Sequence, residues 1–275
     1  MAARLEFRNV TKRFPNRFNG AHKPNGRGEA FITAVRNVSL KIADGEVVSL
    51  IGPSGCGKST LLNMGSGLDR PSDGEVFVDG EKVTKPNPHV AFMLQKDLLL
   101  PWRTIRENVE FGLEIQGVAA DQRHGRSEAL LRKCRLSEFA RHYPHQLSGG
   151  MRQRAALART LAVDPAVLLM DEPFSALDAQ TKMILQQDLG RTLKETGKTA
   201  LFITHDLIEA ITLSDRVLVM SARPGEIVEE IVVDLPYRDN PMKRREQPGV
   251  GQFIPKLMSL LHLREDENEP SFTHS

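Results

Sequence analysis

The chain has 275 residues, 40% apolar and 26% charged, with a formal net charge of +2. That balance suits a globular protein with one large α/β domain and a smaller appended lobe, and it is too weakly basic to argue for nucleic acid. No apolar run approaches the roughly eighteen residues of a membrane span, and the opening Met-Ala-Ala-Arg has no signal-peptide core, so membrane work would pass through a partner. Cys56 and Cys134 show no metal spacing or disulfide framework, which suits a reducing cytoplasm.

Residues 4 to 14 alternate as a strand through Leu5, Phe7 and Val10 and end at Phe14, just before a proline. Phe14 is either an edge aromatic of a small core or a ring free to stack on a base, which would contribute about 1–3 kcal/mol. Residues 15 to 30 are rich in Gly, Asn, Pro and basic residues and read as a flexible loop. Val35, Val38, Leu40 and Ile42 suggest a second strand with a turn at Asp44-Gly45, and Val47 to Ile51 is a short buried run. That run feeds Gly52-Pro53-Ser54-Gly55-Cys56-Gly57-Lys58-Ser59-Thr60, a full match to the phosphate-loop pattern in its required context of strand, loop and apolar helix. The loop amides would cradle phosphates, Lys58 would reach the β and γ oxygens, and Ser59 would ligate Mg²⁺. Loop amides and Lys58 would favour a reactive thiolate at Cys56; a small buried filler is the other reading.

Glu75 to Val78 and Val90 to Leu94 read as strands, the second ending at Gln95, and a lone glutamine at a strand end is usually a surface residue. Leu98-Leu99-Leu100-Pro101-Trp102 follows, either core or an apolar docking surface. Thr104 and Glu107 make a capping box that opens a helical stretch over 104–160. Within it, Ser148-Gly149-Gly150 opens a helix at about Gly150 and forms a second anion-binding device, in which glycine backbone and helix N-terminus face the same point.

Ala166 to Met170 is an unbroken apolar run and so a central parallel strand. It ends in Asp171-Glu172, two acids where α/β sheets hold ligands and where burial without a cation would be costly. Ser175-Ala176-Leu177-Asp178 precedes a helix over 179–196 stopped by Gly197. Thr199 to Thr204 is a strand ending at His205, and a single histidine there is more often structural than catalytic. Val217–Met220 and Ile227–Val233 give two late strands. Beyond Pro236 the chain turns polar, with a basic run at Lys243-Arg244-Arg245 read as solvated, an amphipathic piece near 253–263, and an acidic tail at 265–269.

These motifs, in this order from about Arg4 to Leu235, resemble the ATP-binding subunits of ABC transporters. Leu147 to Arg154 has the form of that family's signature. The resemblance implies an α/β fold with a P-loop core of ABC type, an antiparallel β subdomain and an inserted helical subdomain at about 98–162. The ATP-binding domain would span 4–235, followed by a partly disordered C-terminal extension at 236–275. It implies that Phe14 stacks on adenine and that Gly52 to Thr60 hold the phosphates. Ser148, Gly149 and Gly150 of one subunit would cap the ATP bound by another, with Asp178 crossing that boundary. Gln95 would approach Mg²⁺ and the attacking water, Asp171 would order the Mg²⁺ shell, Glu172 would activate the water, and His205 would contact the γ-phosphate.

The segments 93–104, 143–154 and 221–227 look like the nitrate, sulfonate and taurine importer branch. The implied protein is the ATPase of an importer for such an anion; an importer or exporter for another solute is the alternative. Its partners would be a second copy in a head-to-tail ATP sandwich, transmembrane permease subunits that dock at 98–102 and, indirectly, a periplasmic solute-binding protein. It would work at the cytoplasmic face of the inner membrane, with no nucleic acid. A soluble ABC ATPase acting on nucleic acid or the ribosome usually carries two nucleotide domains or a long coiled-coil insertion, and the chain shows neither. The signature excludes a P-loop kinase or GTPase.

Overall fold

The structure, a computed structural model, describes residues 3–16 and 30–262. Most of the loop expected at 15–30 and the acidic tail at 265–269 lie outside the described residues.

β3 (Val47–Ile51), β7 (Val167–Asp171) and β8 (Thr199–Ile203) are buried at every position, as strands covered on both faces must be. With β6 (Val90–Met93), β9 (Arg216–Met220) and β10 (Ile227–Val232) they form a six-stranded sheet in the order β10-β9-β3-β8-β7-β6. β10 runs antiparallel to β9 and the remaining pairs are parallel. Register then positions the site. Leu50 and Asp171 both pair with Ile203, and Met93 pairs with Met170, so the carboxyl ends of four strands are level. Gly52, Gln95, Glu172 and His205 therefore leave the sheet along one edge, where α/β folds take their ligands.

A second, antiparallel sheet has the order β2-β1-β4-β5, from β1 (Ala3–Pro15), β2 (Phe31–Ala43), β4 (Asp73–Val78) and the short β5 (Glu81–Lys82). Its inward residues, among them Leu5, Phe7, Val38, Leu40 and Val76, share one core with Leu61 and Leu62 of α1 (Lys58–Ser66) and with Val48 and Leu50 of β3. On the other side of the parallel sheet, a larger core joins β7 to the helical lobe and to α5 (Ala179–Thr196). Gly197 ends α5 at φ 60, the left-handed stop its sequence position predicted.

The lobe consists of α2 (Ile105–Ile115), α3 (Ala120–Lys133) and α4 (Gly149–Ala162), packed on one another. The predicted capping box forms: Glu107 N–H donates to Thr104 Oγ1 at 3.3 Å, and Thr104 N–H donates to the Glu107 carboxylate at 2.7 Å. Bonds from the Thr104 hydroxyl and amide hold the Glu107 carboxyl below its ordinary pKa. The stretch is not helical throughout. Between α3 and α4 it contains only 3₁₀ turns at Ser137–Phe139 and Pro144–Gln146.

Three helices were not read from the sequence as such. α6 (Leu207–Leu213) is too short for a periodic signal and is defined by its Asp206 cap. α7 (Pro241–Arg245) and α8 (Val250–His262) follow β10; α7 contacts α5 and α6, and α8 contacts α6 and β9. The basic run is thus not a solvated tail. Arg244 is 1% exposed, and its guanidinium donates to the carbonyls of Ser214 at 2.8 Å and Val233 at 2.9 Å. One turn of helix sends the middle cation inward while Lys243 and Arg245 stay exposed. Burial lowers the Arg244 pKa, yet the group remains charged at neutral pH.

Replacing Arg244 with methionine keeps the volume and strips the donors from these buried carbonyls. It should cost on the order of 3 kcal/mol in urea unfolding. Lys243→Met should stay within about 0.5 kcal/mol of the parent. Equal effects would show that Arg244 is not the anchor.

Candidate functional site

The phosphate loop connects β3 to α1. Gly57 sits at φ 106 as the N-cap of α1, and a Cβ there would lie 2.7 Å from Val35 Cγ2. A Cβ on Gly52 would lie 2.7 Å from the Met220 carbonyl. Backbone must approach backbone on both sides, and only glycine allows it. Lys58 Nζ donates to the carbonyls of Gly52 at 2.7 Å and Pro53 at 2.8 Å, which holds the ammonium under the loop.

Next to the loop are the two acids. Asp171 ends β7 and is buried. Burial raises its pKa, opposed by a hydrogen bond from Ser59; the charge of Glu172 raises it further and that of Lys58 lowers it. Glu172 turns the chain at φ 51, in the left-handed region. That turn, which costs a non-glycine residue roughly 1–2 kcal/mol, aims its carboxylate along the sheet edge. Gln95 Nε2 donates to Glu172 Oε2 at 3.1 Å, and His205 Nδ1 lies 3.6 Å from Oε1. A cleft of about 360 Å³ brings Ser54, Gly55, Gly57, Lys58, Ser59 and Thr60 together with Gln95, Asp171 and Glu172. The hydroxyl of Ser59 and the buried carboxylate of Asp171 are hard oxygen donors beside a phosphate loop. That donor set fits Mg²⁺, which binds through one or two protein oxygens plus substrate phosphates.

The other expected residues lie elsewhere on this chain. Phe14 is half-exposed near the end of β1, opposite Ile32, with Lys12 Nζ 5.1 Å from its ring centre. Its partner Ile32 lies two residues along β2 from Ala34, whose carbonyl closely approaches Gly57. Ser148 caps α4, accepting from Met151 N–H at 3.3 Å. A Cβ on Gly150 would lie 3.3 Å from the Ala176 carbonyl, so α4 begins against the 175–178 turn. Asp178 accepts from Thr181 N–H at 2.9 Å as the cap of α5. None of Phe14, Ser148, Gly149, Gly150 or Asp178 lines the cleft.

Two expectations need correction. Cys56 is 1% exposed within the core beneath the loop, so it is the buried filler and not an accessible thiol. Leu99 is 7% exposed and belongs to the lobe core, whereas Leu98 is 54% and Trp102 71% exposed. Leu98 has φ 43, and that turn splits the leucine run between core and surface.

Sequence reasoning also missed two groups. Arg223 lines the cleft, where its guanidinium donates to the Gly55 carbonyl; no local pattern marks it. Lys182 of α5 lies 2.8 Å from Asp206 and 2.9 Å from the buried Glu209 of α6. Asp206 also caps α6 through Glu209 N–H at 3.1 Å, so this cluster fixes the chain immediately after His205. The threefold spacing of Asp206 and Glu209 was the available signal.

A phosphate loop between buried strand and helix, with paired acids at the end of β7 two strands away in the same sheet, marks the P-loop class of nucleotide-binding proteins. Residues 35–175 match the family model described as ABC transporter. The chain belongs to this family as an ATP-binding subunit, and ABC ATP-binding domains hydrolyse ATP. It is 42% identical to the nitrate import ATP-binding protein NrtD of Synechocystis, over 86% of this chain and 91% of that protein. With the taurine import ATP-binding protein TauB of Burkholderia pseudomallei (strain K96243) it shares 46%, over 75% and 80%. Other relatives of similar identity have no assigned solute. Its fold resembles a dimeric ATP-binding cassette in a post-hydrolysis state with ADP and Pi, at a TM-score of 0.73 and 36% identity, covering 83% of this chain and 98% of that one.

The ion cluster behind His205 gives a pH test. Burial pushes the Glu209 pKa up against the attraction of Lys182. For Asp206, burial is outweighed by the bonds from Lys182 and the α6 amides, and its pKa is lowered. Lys182→Met leaves Glu209 buried without its cation and should cost about 3 kcal/mol at neutral pH. The folded-state pKa of Glu209 would then stand further above its unfolded value. Stability is lost as pH rises through a raised pKa, so the deficit should be smaller near pH 5 than near pH 8. The lowered pKa of Asp206 acts only at more acid pH. Urea unfolding at both values reads it, and a deficit independent of pH would overturn the account.

Proposed function

We propose that this subunit powers import of a small anion, in the class of nitrate, taurine and alkanesulfonates, through a separate permease. The similarity to nitrate and taurine import subunits supports the solute class, and the observation that carries the arrangement of the subunits is the division of the phosphate-binding parts. Lys58, Ser59 and Glu172 share one cleft, while Ser148, Gly149, Gly150 and Asp178 lie outside it. Those parts of another copy could then meet the phosphates, which supports a head-to-tail dimer with ATP between the subunits. The dimeric cassette with ADP and Pi is similar in fold and supports the same arrangement.

In that dimer Glu172 orients water for in-line attack, held between Gln95 and His205. Lys58 and the loop amides stabilise the developing charge, and the partner copy adds its signature serine and glycine. Ser59 and Asp171 would hold Mg²⁺, directly or through water. When bound, that ion neutralises charge on the β and γ oxygens. Phe14 offers the ring that adenine stacks on. ATP binding closes the pair and hydrolysis opens it, which shifts the conformational populations of an attached permease. The domain carrying these parts spans 4–235, with the lobe at about 98–162 as an insertion.

Among the described residues no helix is long and apolar enough to cross a membrane. In this reading the permease is a separate chain, and the subunit docks on it at the cytoplasmic face through Leu98 and Trp102. Asn108 holds this segment from below, accepting from Leu100 N–H at 2.7 Å and donating to the Leu100, Arg103 and Thr104 carbonyls. A solute-binding protein outside the membrane selects the anion.

Glu172→Gln should retain ATP binding and lose roughly 10²–10⁴-fold in hydrolysis. It should also trap an ATP-bound dimer, visible by gel filtration; near-normal single-turnover hydrolysis would remove Glu172 from this role. The import reading is tested in cells lacking the subunit. They should lose uptake of at least one of labelled nitrate, taurine or an alkanesulfonate, and the parent gene should restore it. Trp102→Glu should fail to restore uptake while the free protein binds ATP normally, because a charge would have to be desolvated on docking. Unchanged uptake of all three solutes would refute the solute class.

A further inference from the structure

We propose that Arg223 is a positioning residue of the nucleotide site, one that braces the phosphate loop at Gly55 and adds a second cation for the phosphates beside Lys58. The proposal rests on phosphates occupying this cleft. Arg223 Nη2 and Nε donate to the Gly55 carbonyl at 3.0 and 3.3 Å, and the side chain lines the cleft with Lys58. A guanidinium carries five donors. The carbonyl is the only partner among the described residues for this exposed group, so its charge is not cancelled by a carboxylate.

The turn that carries Arg223 is built into the loop. Gly225 N–H donates to the Ala34 carbonyl at 2.9 Å, and Arg36 N–H donates to the Gly225 carbonyl at 3.0 Å. A Cβ on Gly225 would lie 2.1 Å from the Cys56 carbonyl, so turn and phosphate loop touch backbone to backbone. Inside the turn, Ser221 Oγ donates to the Pro224 carbonyl at 3.1 Å and accepts from Glu226 N–H at 2.9 Å. Arg223 is thereby presented from a fixed support. Gly55 itself sits at φ 74, in the left-handed region. A charge-assisted bond to its carbonyl favours that one loop shape, in which the amides face the cleft.

Brace and charge are separated by substitution and by ligand. Loss of one charged hydrogen-bonding group should weaken binding by about tenfold. For Arg223→Ala we expect that loss for ATP and ADP, with AMP, which lacks the outer phosphates, nearly unaffected. Arg223→Lys keeps the charge and loses the forked contact, so it should recover part of the affinity. At saturating ATP, kcat should stay within about twofold of the parent, placing the effect in KM. Thermal unfolding of each variant checks that the fold is intact. Parent-like ATP affinity in Arg223→Ala would overturn the proposal, as would equal weakening of ATP, ADP and AMP or no recovery by lysine. If the unmodified protein bound no nucleotide, the reading of the cleft itself would fail instead.

Discussion

Three glycines allow three backbones to meet at one point, and the nucleotide site depends on that approach. Gly52 lies against the Met220 carbonyl, Gly57 against Val35 and the Ala34 carbonyl, and Gly225 against the Cys56 carbonyl. A Cβ at any of these positions would come closer than 3.0 Å to a neighbouring atom. The loop is therefore shaped from outside, by the end of β9, by β2 and by the 221–226 turn. Its amides are preorganised before any phosphate arrives, which is what electrostatic stabilisation requires. The antiparallel sheet has a role beyond packing here, since β2 supplies one wall of the loop.

The level ends of the parallel strands then decide which groups meet. Asp171 and Glu172 are adjacent in sequence but not in environment. Asp171 is still in the strand, buried, with Ser59 and Lys58 compensating a charge that burial disfavours. Glu172 has left the strand through a left-handed turn and faces Gln95 and His205. Two neighbouring carboxylates in such different surroundings suit two tasks, one toward a cation and one toward water.

Most of this was legible because the signals are local. The phosphate loop, the capping box at Thr104, the Gly197 stop and the buried runs of β3, β7 and β8 each follow from a few consecutive residues. The rest depended on tertiary placement. A charge run reads as solvated until a short helix turns Arg244 into the core. Leu98 and Leu99 are indistinguishable in sequence, and only the turn at Leu98 sends one outward and one inward. Cys56 lies within the phosphate loop, yet its thiol belongs to the core beneath it. Arg223 lies 168 residues from the carbonyl it holds, a separation no motif spans.

The segment from Gln95 to Trp102 ties these features together. At one end Gln95 touches Glu172. In the middle, Arg152 of α4 pairs with Asp97 at 3.0 Å, and Arg159 donates to the carbonyls of Asp97 and Leu98 at 2.7 and 2.8 Å. Leu99 anchors it in the lobe core, and Trp102 stands exposed at the far end. Ser148 caps α4, so the helix holding this segment is also the one that opens on Gly149 and Gly150. Eight residues held at these points do not move independently at the two ends. A helix pressed onto Trp102 would therefore act on the segment that holds Gln95 beside Glu172 and that rests against α4. Contiguous packing of this kind is one physical route by which coupling between sites is carried, and a single short segment provides it here.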